Sequence, residues 1–267
     1  MNIIVIGPKG KMGKTIIKLA KDMENMTIVG AVAPHGRDYI GKDAGLAAGV
    51  GEEIGALVVD NLENIIDKCD AIIDFTTTVC SMEVLEIALK HNKAVVCGTT
   101  GFSEEQYSRI VEISKTIPVL FAANTSMVVN LMYKLLSTAA EAIGSMSDIE
   151  IIEMHDRYKM DAPSGTSKEM GEVIAEALGK KLKEVAVHGR EGKGARKEGT
   201  IGYHSLRAGD ISSSHTVMFG LMGERLEITH HAHNWDCFAN GACNAALYLQ
   251  DKGPGLYTVK DVLGINE

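Results

Sequence analysis

Aromatic residues make up only 5% of this 267-residue chain, and there is one tryptophan, Trp235. Its core must therefore rest on aliphatic side chains and on the 13 methionines, whose three free torsions let them fill irregular gaps. Cysteine is also scarce. Cys69, Cys80, Cys97, Cys237 and Cys243 are odd in number and none stands in a C-x-x-C pair. That pattern excludes a disulfide framework and a zinc ribbon and fits a reducing cytoplasm. Basic charge is in deficit, with 27 Lys+Arg against 35 Asp+Glu and a net charge of −8. A nucleic-acid binder needs the reverse, so small molecules are the expected partners. No apolar run approaches the roughly 20 residues that span a bilayer. The start, Met1-Asn2-Ile3, carries no signal-peptide pattern.

The hydrophobic fraction, 45%, is ordinary for a globular protein, and the length allows one large domain or two modest ones. Ile3 to Ile6 has the β-branching of a buried parallel strand. It runs into G-P-K-G-K-M-G, with Gly7, Gly10 and Gly13 three apart, and a helix predicted from about Lys11. A strand, a glycine turn and a helix N-terminus form a pyrophosphate cradle, because free N–H groups and the helix dipole both favour an anion. A second strand, Thr27 to Val32, ends without the Asp or Glu that usually bonds an NAD ribose. Pro34 stands there instead, followed by His35 and Arg37. That basic pair tilts the expectation slightly from NADH towards NADPH.

Residues 41–55 read as an irregular connection. Strands are then predicted at 57–59, 71–75, 94–97 and 119–122, with helices at 62–68, 81–90 and 104–115 between them. Ser103 and Gln106 have capping-box spacing at the head of the last helix. The alternation predicts an α/β chain with an N-terminal Rossmann-type doubly wound parallel sheet. Polar residues follow three strand ends, at Asp74-Phe75-Thr76-Thr77, Gly98-Thr99-Thr100-Gly101 and Ala123-Asn124-Thr125-Ser126. Such carboxyl ends line the ligand crevice of these sheets. A helix is predicted from Ser126 to Ile143, with Val128, Leu131, Met132, Leu135, Leu136, Ala139 and Ile143 as its apolar stripe.

The pattern then changes. Residues 150–167, E-I-I-E-M-H-D-R-Y-K-M-D-A-P-S-G-T-S, open as a strand with Ile151 and Glu153 on alternate positions. The strand breaks at His155, and a helix follows the Pro163-Ser164-Gly165 turn, with Thr166 and Glu169 at capping-box spacing. A His, two Asp and a Lys within seven residues, beside a glycine, point to a small-molecule site. Residues 189–199 read as a mobile loop. Strands at 216–219 and from Leu226 to His233 predict a second α+β domain with a mixed or antiparallel sheet, and a helix from Phe238 returns to the first domain. The expected division is 1–126 with 237–267 for the dinucleotide, and 127–236 for substrate and oligomerisation. His231 and His233 share one strand face and with Asp156 could form a metal site, but no second spaced ligand pair accompanies them. No metal is assigned.

In these motifs the chain resembles the 4-hydroxy-tetrahydrodipicolinate reductases, also called dihydrodipicolinate reductases, over essentially its whole length. The most specific match is E-x-x-E-x-H-[HD]-x-x-K-x-D-A-P-S-G-T, from Glu150 to Thr166. The Lys11-Met12-Gly13 turn, Asp74-Phe75-Thr76, Gly98 to Phe102, Ala122-Ala123-Asn124, Gly199 to Gly202, Arg207 to Asp210 and Gly223 to Glu227 also match. The resemblance implies a homotetramer of lysine and diaminopimelate biosynthesis that passes a hydride from NADH or NADPH to a cyclic imine with two carboxylates. It implies cofactor contacts at Gly7, Pro8, Lys9, Gly10, Lys11 and Met12, at Gly98, Thr99 and Thr100, and at Ala122, Ala123, Asn124 and Thr125. Phe75 and Thr76 at a strand end, and the basic pair His35 and Arg37, are the remaining candidate cofactor contacts. His155 takes the position of the catalytic acid and Lys159 that of the second catalytic residue. Gly165 and Thr166 would hold a substrate carboxylate. The chain departs from the family at Asp156, where a second His is usual, and at Trp235, where an Arg is usual. Both count as substrate-site positions, and they leave a paralogue acting on another imine or a less anionic acceptor as the alternative.

Overall fold

The protein is described by a computed structural model over residues 1–265. The last two residues of the expected first domain, 266 and 267, lie outside the described residues. The chain forms two compact units, Met1–Met127 joined by the segment from Trp235 onward, and Val128–Asn234. Met127, Trp235 and Asp236 thus belong to the first unit.

The first unit opens with β1 (Asn2–Ile6), α1 (Lys11–Ala20), β2 (Thr27–Val32), α2 (Ala44–Ala48), β3 (Val58–Val59), β4 (Ala71–Asp74), α3 (Thr78–His91), β5 (Ala94–Cys97), α4 (Glu104–Ser114) and β6 (Pro118–Phe121). β1 shows why a continuous apolar run was needed. Successive side chains leave a strand on opposite faces, and both faces are covered. Ile3 and Val5 pack with Ile16 and Ile17 of α1, while Ile4 and Ile6 pack with Leu85 of α3 and Ile110 of α4. Each such burial contributes about 1.5–3 kcal/mol.

Two local expectations are corrected here. The stretch 41–55 is not wholly irregular, because Asp43 nucleates α2. Its carboxylate accepts from the N–H of Gly45 (2.7 Å), Leu46 (3.4 Å), Ile54 (3.1 Å) and Gly55 (2.9 Å), tying both ends of the segment to one side chain. Residues 62–68 form two single 3₁₀ turns, Leu62–Asn64 and Ile66–Lys68, rather than a helix. Ile65 between them, at φ −131°, has left helical geometry. The Ser103–Gln106 capping box is present at α4.

The second unit carries α5 (Met127–Ile143) from its second residue on, then β7 (Asp148–His155), α6 (Gly165–Ala177), α7 (Leu182–Val185), β8 (Ala186–His188), β9 (Ile201–Arg207), β10 (Ser213–Leu221) and β11 (Glu224–Ala232). Its sheet runs β11-β10-β7-β9-β8. β7 pairs parallel to β9 and antiparallel to β10, so the sheet is mixed. The buried stripe of α5 is rotated from the expected one. Val129, Met132, Tyr133, Leu136 and Ala140 point inward, whereas Val128, Leu131 and Leu135 are exposed. A helix apolar on most of its circumference does not specify its inner face by pattern alone. α6 begins earlier than its expected cap. Ser164 is the N-cap and its side chain accepts from Ser167 N, which places Thr166 inside the first turn.

The chain then returns to the first unit as α8 (Asp236–Leu249), β12 (Gly255–Tyr257) and α9 (Val259–Leu263). The first sheet closes as β12-β6-β5-β4-β1-β2-β3, with parallel pairing throughout. The order departs in both directions from β1. That is the doubly wound arrangement, with its ligand crevice at the strands' carboxyl ends.

Candidate functional site

In the first unit, the turn after β1 is shaped by close backbone approach. Gly7 sits at φ +73°, and a Cβ at Gly13 would lie 2.1 Å from the Gly7 carbonyl oxygen. Gly7 N–H donates to Val32 O and Gly10 N–H to Gly7 O. α1 starts from Gly10 with no side-chain cap and no acidic residue in its first turn. Its leading N–H groups therefore have no competing anion, and Lys9, Gly10 and Lys11 are exposed around them while Pro8 is buried. This cradle fits a nucleotide pyrophosphate. Lys11 Nζ lies 3.6 Å from the centre of the Trp235 ring, and Lys9 Nζ lies 4.3 Å from that of Tyr39. Trp235 thus stands beside the nucleotide turn.

The other strand ends gather at the same edge. Asp74 accepts from Thr76 N (3.0 Å) and Thr76 Oγ1 (2.7 Å), which sets the Thr76 methyl against Gly7. The Phe75 ring covers Gly98 so closely that a Cβ there would meet it at 1.9 Å. Thr100 and Ala123 are exposed, and Ala122 and Asn124 half-buried. Thr99 and Thr125 differ from expectation. The Thr99 hydroxyl accepts from Ser81 (2.8 Å), and the Thr125 hydroxyl donates to Phe238 O (2.7 Å). Both side chains are buried and tie elements together. At the end of β2, His35 and Arg37 are exposed. His35 Nδ1 lies 2.6 Å from Asp60 Oδ2, so a carboxylate does stand in this region, contributed from the chain after β3.

In the second unit, strand register assembles the site. Ile149 and Ile151 face the apolar core, and two positions on, the same face carries Glu153 and then His155. The register sets Ser205 and His215 opposite Glu153, Arg207 opposite His155, and His230 opposite His215. Partners opposite one another share a face, so one end of this face is polar where the other is core. Glu153 is fully buried. Both its oxygens take Arg207 guanidinium nitrogens (2.8 and 2.9 Å), and its Oε2 also meets His155 Nδ1 at 2.5 Å. Burial alone would raise Glu153, but Arg207, Ser205 and His155 outweigh it and hold the carboxyl below its usual range. His155 is pushed down by burial, against the pull of Glu153. The buried carboxylate fixes the His155 proton on Nδ1, a tautomer assigned from this network, and leaves Nε2 as an acceptor, 3.3 Å from Ser213 Oγ.

The chain past β7 turns through Asp156, whose Oδ1 accepts from Tyr158 N (2.8 Å). Lys159 Nζ pairs with Asp161 Oδ1 at 2.8 Å, and this ion pair holds the Asp161 carboxyl low. Gly165 and Thr166 open α6. Gly165 is exposed with nothing near its would-be Cβ, and no acid stands in the first turn, so the helix end is open to an anion. The sequence reading names His155, Lys159, Gly165 and Thr166 as candidates. It does not name Ser213 or His215, which the strand register sets beside them, and it gives Glu153 and Arg207 no part. His215 interrupts the inward alternation with Val217 and Phe219 of β10, and that was the available signal. His230 is buried on β11, while His231 bonds Ser214 (2.8 Å) and His233 lies past the strand. Among the described residues no group of three His, Cys, Asp or Glu is placed to hold a metal, and no helix is long and apolar enough to cross a membrane.

Comparison with known proteins agrees along the length of the chain. Family models described as "Dihydrodipicolinate reductase, N-terminus" and "Dihydrodipicolinate reductase, C-terminus" match residues 1–125 and 128–263. A 4-hydroxy-tetrahydrodipicolinate reductase of Hahella chejuensis (strain KCTC 2396) is 46% identical over 264 residues, 98% of each protein. Among solved structures, a dipicolinate-bound dihydrodipicolinate reductase from Paenisporosarcina sp. TG-14 superposes with a TM-score of 0.78 at 26% identity, over 97% of both chains. An amine dehydrogenase from Mycobacterium smegmatis, at 13% identity and a TM-score of 0.65 over 97% and 95% of the two chains, shares the fold.

Proposed function

This chain belongs to the dihydrodipicolinate reductase family, and from that premise we propose that it reduces the cyclic imine 4-hydroxy-tetrahydrodipicolinate in lysine and diaminopimelate biosynthesis. The observation that carries the reading is the buried Arg207–Glu153–His155 group, on the same unit as the open N-terminus of α6. The cofactor is a nicotinamide nucleotide, which supplies the hydride when bound. Gly7 to Met12 hold its pyrophosphate through backbone N–H groups, with Phe75, Thr76, Gly98 to Thr100 and Ala122 to Thr125 around the remainder. His35 and Arg37 flank the adenosine ribose. Arg37 favours a 2′-phosphate and Asp60 opposes it, so the preference for NADPH over NADH is slight.

Gly165 N–H and the Thr166 N–H and hydroxyl receive a substrate carboxylate at the helix end, where the dipole adds to the bonds. Lys159 and His155 handle the proton that the reduced imine must gain. Glu153 keeps the His155 ring oriented for that exchange. The alternative acceptor was motivated by Asp156 and Trp235. Asp156 is engaged by the Tyr158 N–H, and Trp235 stacks on Lys11, so both have structural employment, and that lends the alternative little support. A cytoplasmic homotetramer is the expected state, consistent with the exposed Val128, Leu131, Leu135 and Met222.

The deciding experiment is a coupled assay in which dihydrodipicolinate synthase supplies the substrate, run with each nucleotide in turn. Efficient loss of nucleotide absorbance is expected. His155→Ala and Lys159→Ala should each lower kcat by about 10²–10⁴-fold with nucleotide affinity retained. No consumption with either nucleotide, or unchanged kcat in both variants, refutes the assignment.

A further inference from the structure

Three further side chains continue from His155 over the same end of the second sheet. Ser213 Oγ lies 3.3 Å from His155 Nε2 and 3.4 Å from His215 Nδ1. His215 Nε2 lies 3.1 Å from Ser164 Oγ, which accepts from Ser167 N at 3.2 Å. The two imidazoles meet edge to face, with centres 5.2 Å apart. His215 is 1% exposed and Ser164 2% exposed, and Ser213 is half-buried.

A hydroxyl has one proton to give, and a neutral imidazole has one donor and one acceptor. The chain can therefore point in only one direction at a time. With the His155 proton on Nδ1, facing Glu153, its Nε2 is an acceptor. Ser213 then donates to His155, His215 Nδ1–H donates to Ser213, and Ser164 donates to His215 Nε2. Placing a proton on His155 Nε2 reverses every bond.

We propose that Ser213, His215 and Ser164 are positioning residues that form a reversible proton relay ending at His155 Nε2, so that the His215 tautomer follows the protonation of His155. The step balances with one proton added in all and no change of oxidation state. Ser213 gives its proton to His155 Nε2 and takes the Nδ1 proton of His215. His215 takes the Ser164 hydroxyl proton at Nε2, and hydronium from the solvent gives the proton that restores Ser164, leaving water. His155 then holds the proton that the reduced imine nitrogen requires. The charged and titratable groups around the relay are Glu153, Arg207, Lys159 with Asp161, and His230. Glu153 favours the added charge, while Arg207, Lys159 and a protonated His230 oppose it. Burial pushes His215 down to about 3, which keeps it neutral while the relay turns.

The inference rests on His155 as the proton-handling residue of the proposed reduction, and its test does not depend on the substrate. In the full chain labelled with ¹⁵N-histidine, nuclear magnetic resonance reads the tautomer of each ring. At neutral pH both His155 and His215 should carry the proton on Nδ1, and His215 should cross to Nε2–H as His155 titrates. A His215 tautomer fixed through that titration, or on Nε2 from the start, overturns the proposal. Ser213→Ala should uncouple the two rings, shift the His155 titration by removing its Nε2 partner, and lower kcat about tenfold with KM unchanged. Ser213→Thr should restore all three. An Ala variant with an unchanged His155 titration also overturns the proposal. If Ser213→Ala fails to fold, the wild-type titration decides alone. Coupled tautomers in a protein that consumes no nucleotide would refute the assigned reaction and leave the relay standing.

Discussion

Moving from pH 7.5 to pH 5 should weaken the second unit by about 2 kcal/mol through His215 alone. An exposed histidine titrates near 6.5, and burial among β7, β10 and β11 pushes His215 down to about 3. The folded state therefore binds fewer protons than the unfolded chain throughout the window between those values. Stability rises with pH wherever the unfolded state binds more protons, so His215 contributes in full above 6.5 and its contribution falls as pH drops towards 3. At pH 5 the unfolded chain lies about 1.5 units below its own midpoint, and 1.36 kcal/mol per unit gives roughly 2 kcal/mol. His155 and His230 are also shifted down by burial and act with the same sign. Glu150 and Glu153 are held low, so their losses begin as pH falls into the ordinary Glu range, about 4.3 in the unfolded chain, and lie mostly below this window. Hydrogen exchange at the Val217 and Phe219 amides of β10 reads the unit directly, and 2 kcal/mol is about a 30-fold loss of protection after correction for intrinsic rates. His215→Phe should remove that part of the slope. Wild type and variant losing protection in parallel between pH 7.5 and 5 would refute the reasoning. If the variant does not fold, a wild-type His215 that charges above pH 5 would do the same.

Gly13→Ala puts a Cβ within 2.1 Å of the Gly7 carbonyl, so the cradle must open. Nucleotide affinity should fall at least about 100-fold, and calorimetry showing wild-type affinity would exclude the cradle. Glu150, buried on the other face of β7, receives Arg190 and Arg196 at 2.9 Å and His204 at 2.7 Å, while Arg196 also bonds Ile149 O and Thr200 O. Glu150→Ala should cost about 2–3 kcal/mol, discounted for the partial exposure of Arg190 and His204, and should speed tryptic cleavage in the 189–199 loop. Cleavage at the wild-type rate would show that the loop is held by something else.

Much of the first unit was legible because its determinants are local. β1 is an unbroken β-branched run, the cradle is three glycines at fixed spacing, and the α4 capping box lies within four residues. Where a local signal pointed at two answers, the reading slipped. Thr166 and Glu169 had cap spacing, yet Ser164 after the cis Ala162–Pro163 bond took the cap. Apolar residues around most of α5 left its inner face undetermined. Asp43 was overlooked because two of its four N–H donors come from Ile54 and Gly55, more than ten residues away.

The second unit's polar group was legible only at its β7 end. Glu153 and His155 lie two residues apart, but Arg207, Ser213 and His215, which join them, lie more than 50 residues further along. Register on β9 and β10 brings them in, and no window of sequence encodes that register. What the sequence does carry is an anomaly in a pattern. In Ser213-Ser-His-Thr-Val-Met-Phe219 the inward positions are Ser213, His215, Val217 and Phe219, a strand whose core face turns polar at one end. β7 does the same, passing from Ile149 and Ile151 to Glu153 and His155. A buried carboxylate or imidazole without partners costs several kcal/mol. Two strands that turn polar at one end can therefore be tolerated only if those ends meet. Antiparallel pairing of β7 with β10 sets Glu153 opposite His215. The polar interruptions in the two alternations thus constrain the register that unites them.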